Sequence, residues 1–138
     1  MHFEHIDWKP NYELGIEDID YQHHFFINLI NRLSDELAAT DSPEYRTAIV
    51  SELSAYARFH FISEENMMSR AGYPEIDAHK RHHRELLDQL SIKQTRLEMR
   101  QSEQEQQAIL DFLVQWFFEH TTREDRLFAD YLHRQGQS

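Results

Sequence analysis

Four stretches of the chain carry apolar residues at helical spacing, and only three short breaks separate them. The chain has three glycines and three prolines in 138 residues, so few positions can end a helix. The first break is at residues 40–43, where Ser42 can cap a helix that begins at Pro43. The second is at Gly72 and Pro74, and the third precedes a capping box that Ser102 opens. The pattern predicts four helices of about 18–24 residues, each roughly 27–36 Å long.

Short connections between helices of similar length favour antiparallel neighbours. We therefore predict an all-α protein, an up-down-up-down four-helix bundle formed by residues 17–134. Residues 1–16 contain Pro10, Asn11 and Gly15 without a sustained period and are predicted to form an irregular arm. Leu127, Phe128 and the residues after them predict a short amphipathic C-terminal helix. The sequence shows no internal repeat and no low-complexity segment, so residues 1–138 are expected to be one domain.

The formal net charge of −11 disfavours nucleic acid and anionic membranes as partners. No stretch approaches the roughly 18 apolar residues of a membrane span, and the N-terminus lacks the pattern of a signal peptide. We therefore expect a cytoplasmic protein. Cysteine is absent, which excludes disulfides and thiolate metal sites.

Ten histidines are several times the normal share for a chain of this size. Half of them occupy in-phase positions of the apolar faces, where leucine would be ordinary, and a glutamate does the same. Burying a polar group without a partner costs roughly 1–3 kcal/mol, against a typical domain stability of about 5–15 kcal/mol. Metal ions would compensate all of these groups together. The inward-facing groups are His23, His60, Glu64, His79, His83 and His120.

The spacing of these groups agrees with metal binding. His60 and Glu64, like His79 and His83, are four residues apart and lie one turn apart on one helix face. The ligands outnumber those of one tetrahedral zinc site, and imidazole with carboxylate suits iron, manganese or zinc. No glutamate is followed three residues later by histidine, so the Glu-x-x-His pairs of ferritin-like diiron bundles are missing. A site dominated by histidine favours binding over ferroxidase-type turnover.

In the identity and order of these residues, the sequence resembles the hemerythrin family. The matching segments occur in family order and span residues 8 to 127, nearly the whole chain. They comprise Trp8, Gly15 and Ile16, then Ile19, Asp20, Tyr21, Gln22 and His23, then His60, Phe61, Ile62, Ser63, Glu64, Glu65 and Met68, then Tyr73, Pro74, His79 and His83, and finally Trp116, His120 and Asp125.

The resemblance implies two iron ions joined by an oxo or hydroxo bridge. One iron would have three histidine ligands and the other two, and two carboxylates would bridge them, which leaves one open position. Molecular oxygen would bind there reversibly as hydroperoxide. The implied ligands are His79, His83 and His120 on one iron, His23 and His60 on the other, and Glu64 and Asp125 as bridges.

Asp125 is a ligand that periodicity would miss, because it lies about 140° around an ideal helix from His120. From spacing alone, Asp125 is expected to lie on the surface. If Asp125 bridges, we expect the helix to widen or break between His120 and Asp125, near Thr121 and Thr122.

The resemblance also implies an apolar oxygen pocket lined by Phe26, Phe61, Trp116 and Phe117, which would serve equally as core aromatics. The chain departs from the family at two positions. Phe117 stands where leucine is usual, and Thr121 stands where isoleucine is usual. The Thr121 hydroxyl would lie beside the oxygen site, or bond a carbonyl one turn back. We hypothesise that Thr121 alters the lifetime of the oxygenated form.

Three functional classes follow from this resemblance. The first is a binding protein that carries, stores or delivers oxygen, expected to be monomeric and not an enzyme. The second is an oxygen or redox sensor that acts through a partner protein. The third is a diiron protein that reacts with peroxide or nitric oxide, or handles iron; the absence of an evident general acid or base argues against turnover.

Overall fold

The computed structural model describes residues 5–136, and within residues 116–121 it describes the backbone alone. The described chain is helical and contains no strand. After a short 3-10 turn at Pro10–Tyr12, the chain forms α1 (Glu17–Ala39), α2 (Pro43–Ala71), α3 (Ile76–Met99) and α4 (Glu103–Phe112). A π-helical segment, Leu113–Phe118, joins α4 directly to α5 (Glu119–Arg134). The prediction of an all-α protein with a short C-terminal helix is confirmed.

Three helix boundaries lie where the sequence predicts them, although α2, at 29 residues, is longer than the predicted length of about 18–24 residues. The Ser42 side chain accepts a hydrogen bond from the Tyr45 backbone N–H, with Pro43 at the start of α2. Gly72 ends α2 at φ 66°, a left-handed conformation that glycine adopts without strain. Ser102 caps α4 by accepting from the Glu105 backbone N–H. Local capping chemistry therefore fixes the lengths of the helices.

The four helical rods form a closed ring, in which α1 packs on α2, α2 on α3, α3 on α4 and α4 on α1. α1 and α2 are antiparallel, and so are α2 and α3, because residues near the start of one helix contact residues near the end of the next. The contacts that give this order are Gln22 with Ser63, Tyr45 with Glu36, Gln94 with Ser51, and His79 with Glu64.

The apolar core has two parts. The larger lies between α1, α2, α3 and α4 and includes Phe26, Phe61 and Leu113. The smaller includes Ile19, Met68 and Phe128 and packs α5 against the first turns of α1 and the end of α2. The inward-facing polar groups are carried by the same helices.

The N-terminal arm is irregular, as predicted, but it is firmly attached to α1. Asp20 accepts hydrogen bonds from the backbone N–H groups of Leu14 (2.8 Å) and Gly15 (3.0 Å). Further out, the Asn31 side chain pairs with both backbone groups of Ile6. The arm thus closes over one side of the bundle.

The position of the wide turn differs from the prediction. The sequence argument expected it between His120 and Asp125, but the π-helical segment ends at Phe118 and α5 is α-helical from Glu119 onward. The argument took His120 to be in phase with the residues before it, which forced the extra residue to follow His120. An extra residue anywhere between Leu113 and Asp125 turns Asp125 towards the core in the same way.

The consequence of the π-helical segment is a change of helical phase. In an unbroken α-helix Asp125 would lie roughly 120° around from the buried Leu113. One extra residue, which a π-helical turn supplies, reduces that angle to about 20°. Asp125 is fully buried, and Leu113 is 1% exposed.

Among the described residues, no helix combines the length and apolar character needed to cross a bilayer.

Candidate metal centre

Six of the seven residues expected to bind metal have described side chains, and all six are buried in the bundle. His60, Glu64 and Asp125 have no exposed surface, and His79 is the most exposed at 5%. The side chains converge from α1 (His23), α2 (His60 and Glu64), α3 (His79 and His83) and α5 (Asp125). The bundle therefore brings together residues that are far apart in the sequence.

The six side chains form two overlapping groups. One comprises His23 and His60 with Glu64 and Asp125; we call it the α1–α2 subsite. The other comprises His79 and His83 with the same two carboxylates; we call it the α3 subsite. Within each group the ligand atoms lie within 4.8 Å of one another. Glu64 and Asp125 are common to both subsites, which is the arrangement needed for carboxylates that bridge two ions.

The imidazole nitrogens point directly at carboxylate oxygens. In the α3 subsite, Nε2 of His79 and of His83 lie 2.9 Å and 3.1 Å from Oε1 of Glu64. In the α1–α2 subsite, Nε2 of His60 lies 3.3 Å from Oε2 of Glu64, and Nε2 of His23 lies 3.1 Å from Oδ2 of Asp125. Each of the four described histidines of the site therefore turns its Nε2 atom towards a shared carboxylate.

Hydrogen bonds on the other side of two rings fix their tautomers. The Nδ1–H of His60 donates to Gln22 Oε1 at 2.6 Å, and the Nδ1–H of His83 donates to Glu65 Oε2 at 2.7 Å. A neutral ring with its proton on Nδ1 has a lone pair at Nε2. That lone pair would face a carboxylate oxygen and be repelled unless a proton or a cation lies between them.

The same conclusion follows from the carboxylates. Glu64 Oε2 and Asp125 Oδ1 are buried. Among the described side chains they face His60 Nε2 at 3.3 Å and His79 Nε2 at 3.1 Å, and these contacts become hydrogen bonds only when the imidazole nitrogens carry protons. Buried carboxylate oxygens need a partner, because desolvation without one is costly. Imidazole and carboxylate together form a donor set suited to iron, so these residues are suitable ligands for iron ions.

The pKa values of the metal-free site show how protons would fill this need. Burial opposes ionisation of Glu64, yet hydrogen bonds from His60, His79 and His83 lower its pKa well below the ordinary value. Burial and the neighbouring charge of Glu64 raise the pKa of Asp125. Burial disfavours protonation of His79, but its hydrogen bonds to Asp125 and Glu64 raise the pKa to about 10. Cations that bind here would displace protons.

Part of the predicted oxygen pocket is described. Phe26 is fully buried and Phe61 is 2% exposed, and Phe61 stacks on the His83 ring at 3.9 Å between centroids. Both line a cavity of about 10 Å³, near the lower limit for one water molecule. Its other lining residues are apolar too: Ala57, Leu86, Leu87, Leu90, Phe112 and Leu113.

Four residues expected at the site have side chains outside the described residues: His120, Trp116, Phe117 and Thr121. Their expected roles stay predictions. Of the five histidines expected away from the metal, His5, His24 and His133 are exposed, His82 is half-buried, and His2 lies outside the described residues.

Sequence reasoning assigned no role to Gln22 and Glu65, which contact two of the imidazoles. The available signal was adjacency, since Gln22 directly precedes His23 and Glu65 directly follows Glu64. A side chain next to an inward-facing residue on a helix lies at the edge of the buried face, within reach of the neighbouring helix.

Comparison with known proteins agrees with this geometry. Residues 14–132 match the family described as the hemerythrin HHE cation binding domain. The chain is similar to a bacteriohemerythrin of Clostridium acetobutylicum, at 32% identity over 130 residues, covering 89% of this chain and 98% of that protein. It is similar to a bacteriohemerythrin of Stenotrophomonas maltophilia, at 31% identity over 124 residues, covering 89% and 78%. A myohemerythrin of Theromyzon tessulatum is 28% identical over 87 residues, covering 63% and 67%.

Proposed function

Since the chain belongs to the hemerythrin family, we propose that it binds molecular oxygen reversibly at a pair of iron ions, for oxygen carriage, storage or delivery. The family binds oxygen at non-haem iron. The observation that carries the proposal is the sharing of Glu64 and Asp125 by two groups of histidines. A single ion would need only one of these groups.

The roles of the residues follow from their positions. Two iron ions would supply the electrons that oxygen takes up on binding and returns on release. His23 and His60 would hold one ion and His79 and His83 the other, and the carboxylates of Glu64 and Asp125 would be common to both. We propose His120 as a further ligand beside His79 and His83, because the family motif puts a histidine at that position.

The surroundings of the site favour binding over turnover. Phe61 covers one face of the His83 ring, and Phe26 lies on the wall of the same small apolar cavity. An apolar wall keeps water and its protons from the centre, and both promote irreversible oxidation of the iron. We propose that these side chains protect the oxygen-bound form.

The test is a cycle of oxygen uptake and release. The protein is reconstituted with ferrous iron without air, exposed to air, and then purged with argon while its visible absorption is recorded. We expect an absorption band that appears in air, vanishes on purging and returns in the next cycle. A band that never appears, or oxidation that is complete and irreversible on first exposure, would contradict the proposal.

A further inference from the structure

The two subsites differ in what supports their histidines. Behind the α3 subsite, His83 donates its Nδ1–H to the carboxylate of Glu65 at 2.7 Å. Behind the α1–α2 subsite, His60 donates its Nδ1–H to the neutral amide oxygen of Gln22 at 2.6 Å. The two hydrogen bonds have nearly the same length, but one acceptor is negatively charged and the other is neutral.

Both ends of the Gln22 amide are engaged. Its Nε2 donates to Ser63 Oγ at 3.0 Å, and its oxygen faces His60. Gln22 therefore acts as a neutral acceptor. The group that accepts the His60 proton is thus uncharged, whereas the group that accepts the His83 proton is a carboxylate.

A carboxylate that accepts the proton of a metal-binding imidazole raises the basicity of the opposite nitrogen. Hydrogen bonds to charged acceptors are also about twice as strong as those between neutral groups. The third carboxylate of the α3 subsite further adds negative charge close to a cation. All three effects favour cation binding in the α3 subsite.

Asp20 does not play the part of Glu65 in the α1–α2 subsite. Its negative charge acts on His23, but its two oxygens accept hydrogen bonds from the backbone N–H groups of Leu14 and Gly15. No hydrogen bond joins it to a ring of the α1–α2 subsite among the described residues.

We propose that Glu65 and Gln22 make the subsites unequal, so that the α3 subsite binds its cation more tightly and is filled first. The inference rests on the proposed function, since it takes both subsites to hold a cation. Glu65 and Gln22 act as positioning residues through His83 and His60. The predicted extra ligand His120 would act in the same direction, so the test must vary the residues behind the rings.

The experiment titrates the metal-free full chain with Co²⁺ in competition with a chelator, following the cobalt absorption to obtain two stepwise dissociation constants. The variants are Glu65→Gln, which removes the carboxylate behind His83, and Gln22→Glu, which adds one behind His60. Ser63 can still donate its hydroxyl proton to the new carboxylate. Glu52→Gln is the matched control, because Glu52 is an exposed carboxylate on α2 that pairs with Arg32.

We expect two unequal steps in the wild-type protein. Glu65→Gln should weaken the tighter step by about 10–100-fold and leave the weaker step unchanged. Gln22→Glu should strengthen the weaker step and leave the tighter one unchanged, a gain that damage to the fold cannot produce. Glu52→Gln should change neither step.

The inference is overturned by any of three results: two equal steps in the wild-type protein, no response of the tighter step to Glu65→Gln, or shifts in Glu52→Gln as large as those in Glu65→Gln. If Glu65→Gln loses its helical circular dichroism, Gln22→Glu decides alone, and no strengthening of the weaker step rejects the inference. Binding of fewer than two Co²⁺ per wild-type chain would instead contradict the proposed function.

Discussion

The Nε2 atom of His79 lies 3.1 Å from Oδ1 of Asp125, which links α3 to α5 across the core. The same nitrogen lies 2.9 Å from Oε1 of Glu64. One imidazole therefore faces both shared carboxylates. Asp125 comes from the last helix in the chain, and the π-helical segment before it supplies the phase that turns it inward.

Asp125→Asn should cost the protein its second metal ion. The amide keeps the size of the side chain but removes a negative charge and a ligand oxygen common to both subsites. After iron reconstitution and desalting, we expect the iron content to fall from two ions per chain to one or fewer. Asp130→Asn is the control, because Asp130 is an exposed aspartate on the same helix. Full iron content in Asp125→Asn would count against a bridging role.

The metal-free protein should lose stability as the pH rises above neutrality. The folded pKa of His79 is raised from 6.5 to about 10, so its stabilising contribution is complete below pH 6.5 and is lost as the pH rises towards 10. The pKa of Glu64 is lowered from 4.5, so its contribution is complete above pH 4.5 and is lost as the pH falls below it. We expect the urea midpoint of the metal-free protein to be highest between these pH values.

The metal-loaded protein is the control for this titration. When cations replace the protons between imidazoles and carboxylates, the alkaline loss should shrink because His79 no longer titrates. Urea midpoints measured from pH 5 to pH 10 on both forms give the comparison. Identical pH profiles for the two forms, or a flat profile for the metal-free form above pH 6.5, would show that these protons do not stabilise the fold.

Phe61→Leu should speed irreversible oxidation of the iron. Phe61 stacks on the His83 ring with an interplanar angle of 10° and lines the small apolar cavity, so a smaller side chain gives water access to the site. Phe128→Leu is the control, because Phe128 is fully buried in the other part of the core. Both variants should lose roughly 1–3 kcal/mol of stability. Only Phe61→Leu should show several-fold faster autoxidation in air, and equal rates in both would refute a protective role.

Asp20→Ala should loosen the N-terminal arm. Asp20 is 8% exposed and accepts two backbone hydrogen bonds from the arm, at Leu14 and Gly15. Hydrogen bonds to a charged group are worth about 1.5–3 kcal/mol each, so the free energy of unfolding should fall by at least that of one bond. Asp18→Ala, at an exposed position in the same helical turn, should change it by less than about 0.5 kcal/mol. Urea unfolding compares the two.

Much of the fold could be predicted from the sequence because its signals are local. Ser42, Gly72 and Ser102 end or begin helices through contacts within a few residues, and each lies at the predicted boundary. The buried positions of His23, His60, His79 and His83 followed from helical phase in the same way. Periodicity suffices wherever a helix stays regular.

Prediction failed where the helix is irregular or the contact is between helices. The π-helical segment has no local signature in the sequence, so its location was predicted too late in the chain and Asp125 was found only by resemblance. Gln22 and Glu65 were missed because their partners, His60 and His83, lie on neighbouring helices. Such contacts depend on how helices pack, which a one-dimensional pattern does not contain.

The most direct test of the central claim is a crystal structure of the iron-loaded protein with anomalous diffraction recorded at the iron absorption edge. Two ions that share the carboxylates should give two anomalous peaks, one beside His23 and His60 and one beside His79 and His83, with Glu64 and Asp125 contacting both. A single peak, or two peaks that do not share these carboxylates, would contradict the account.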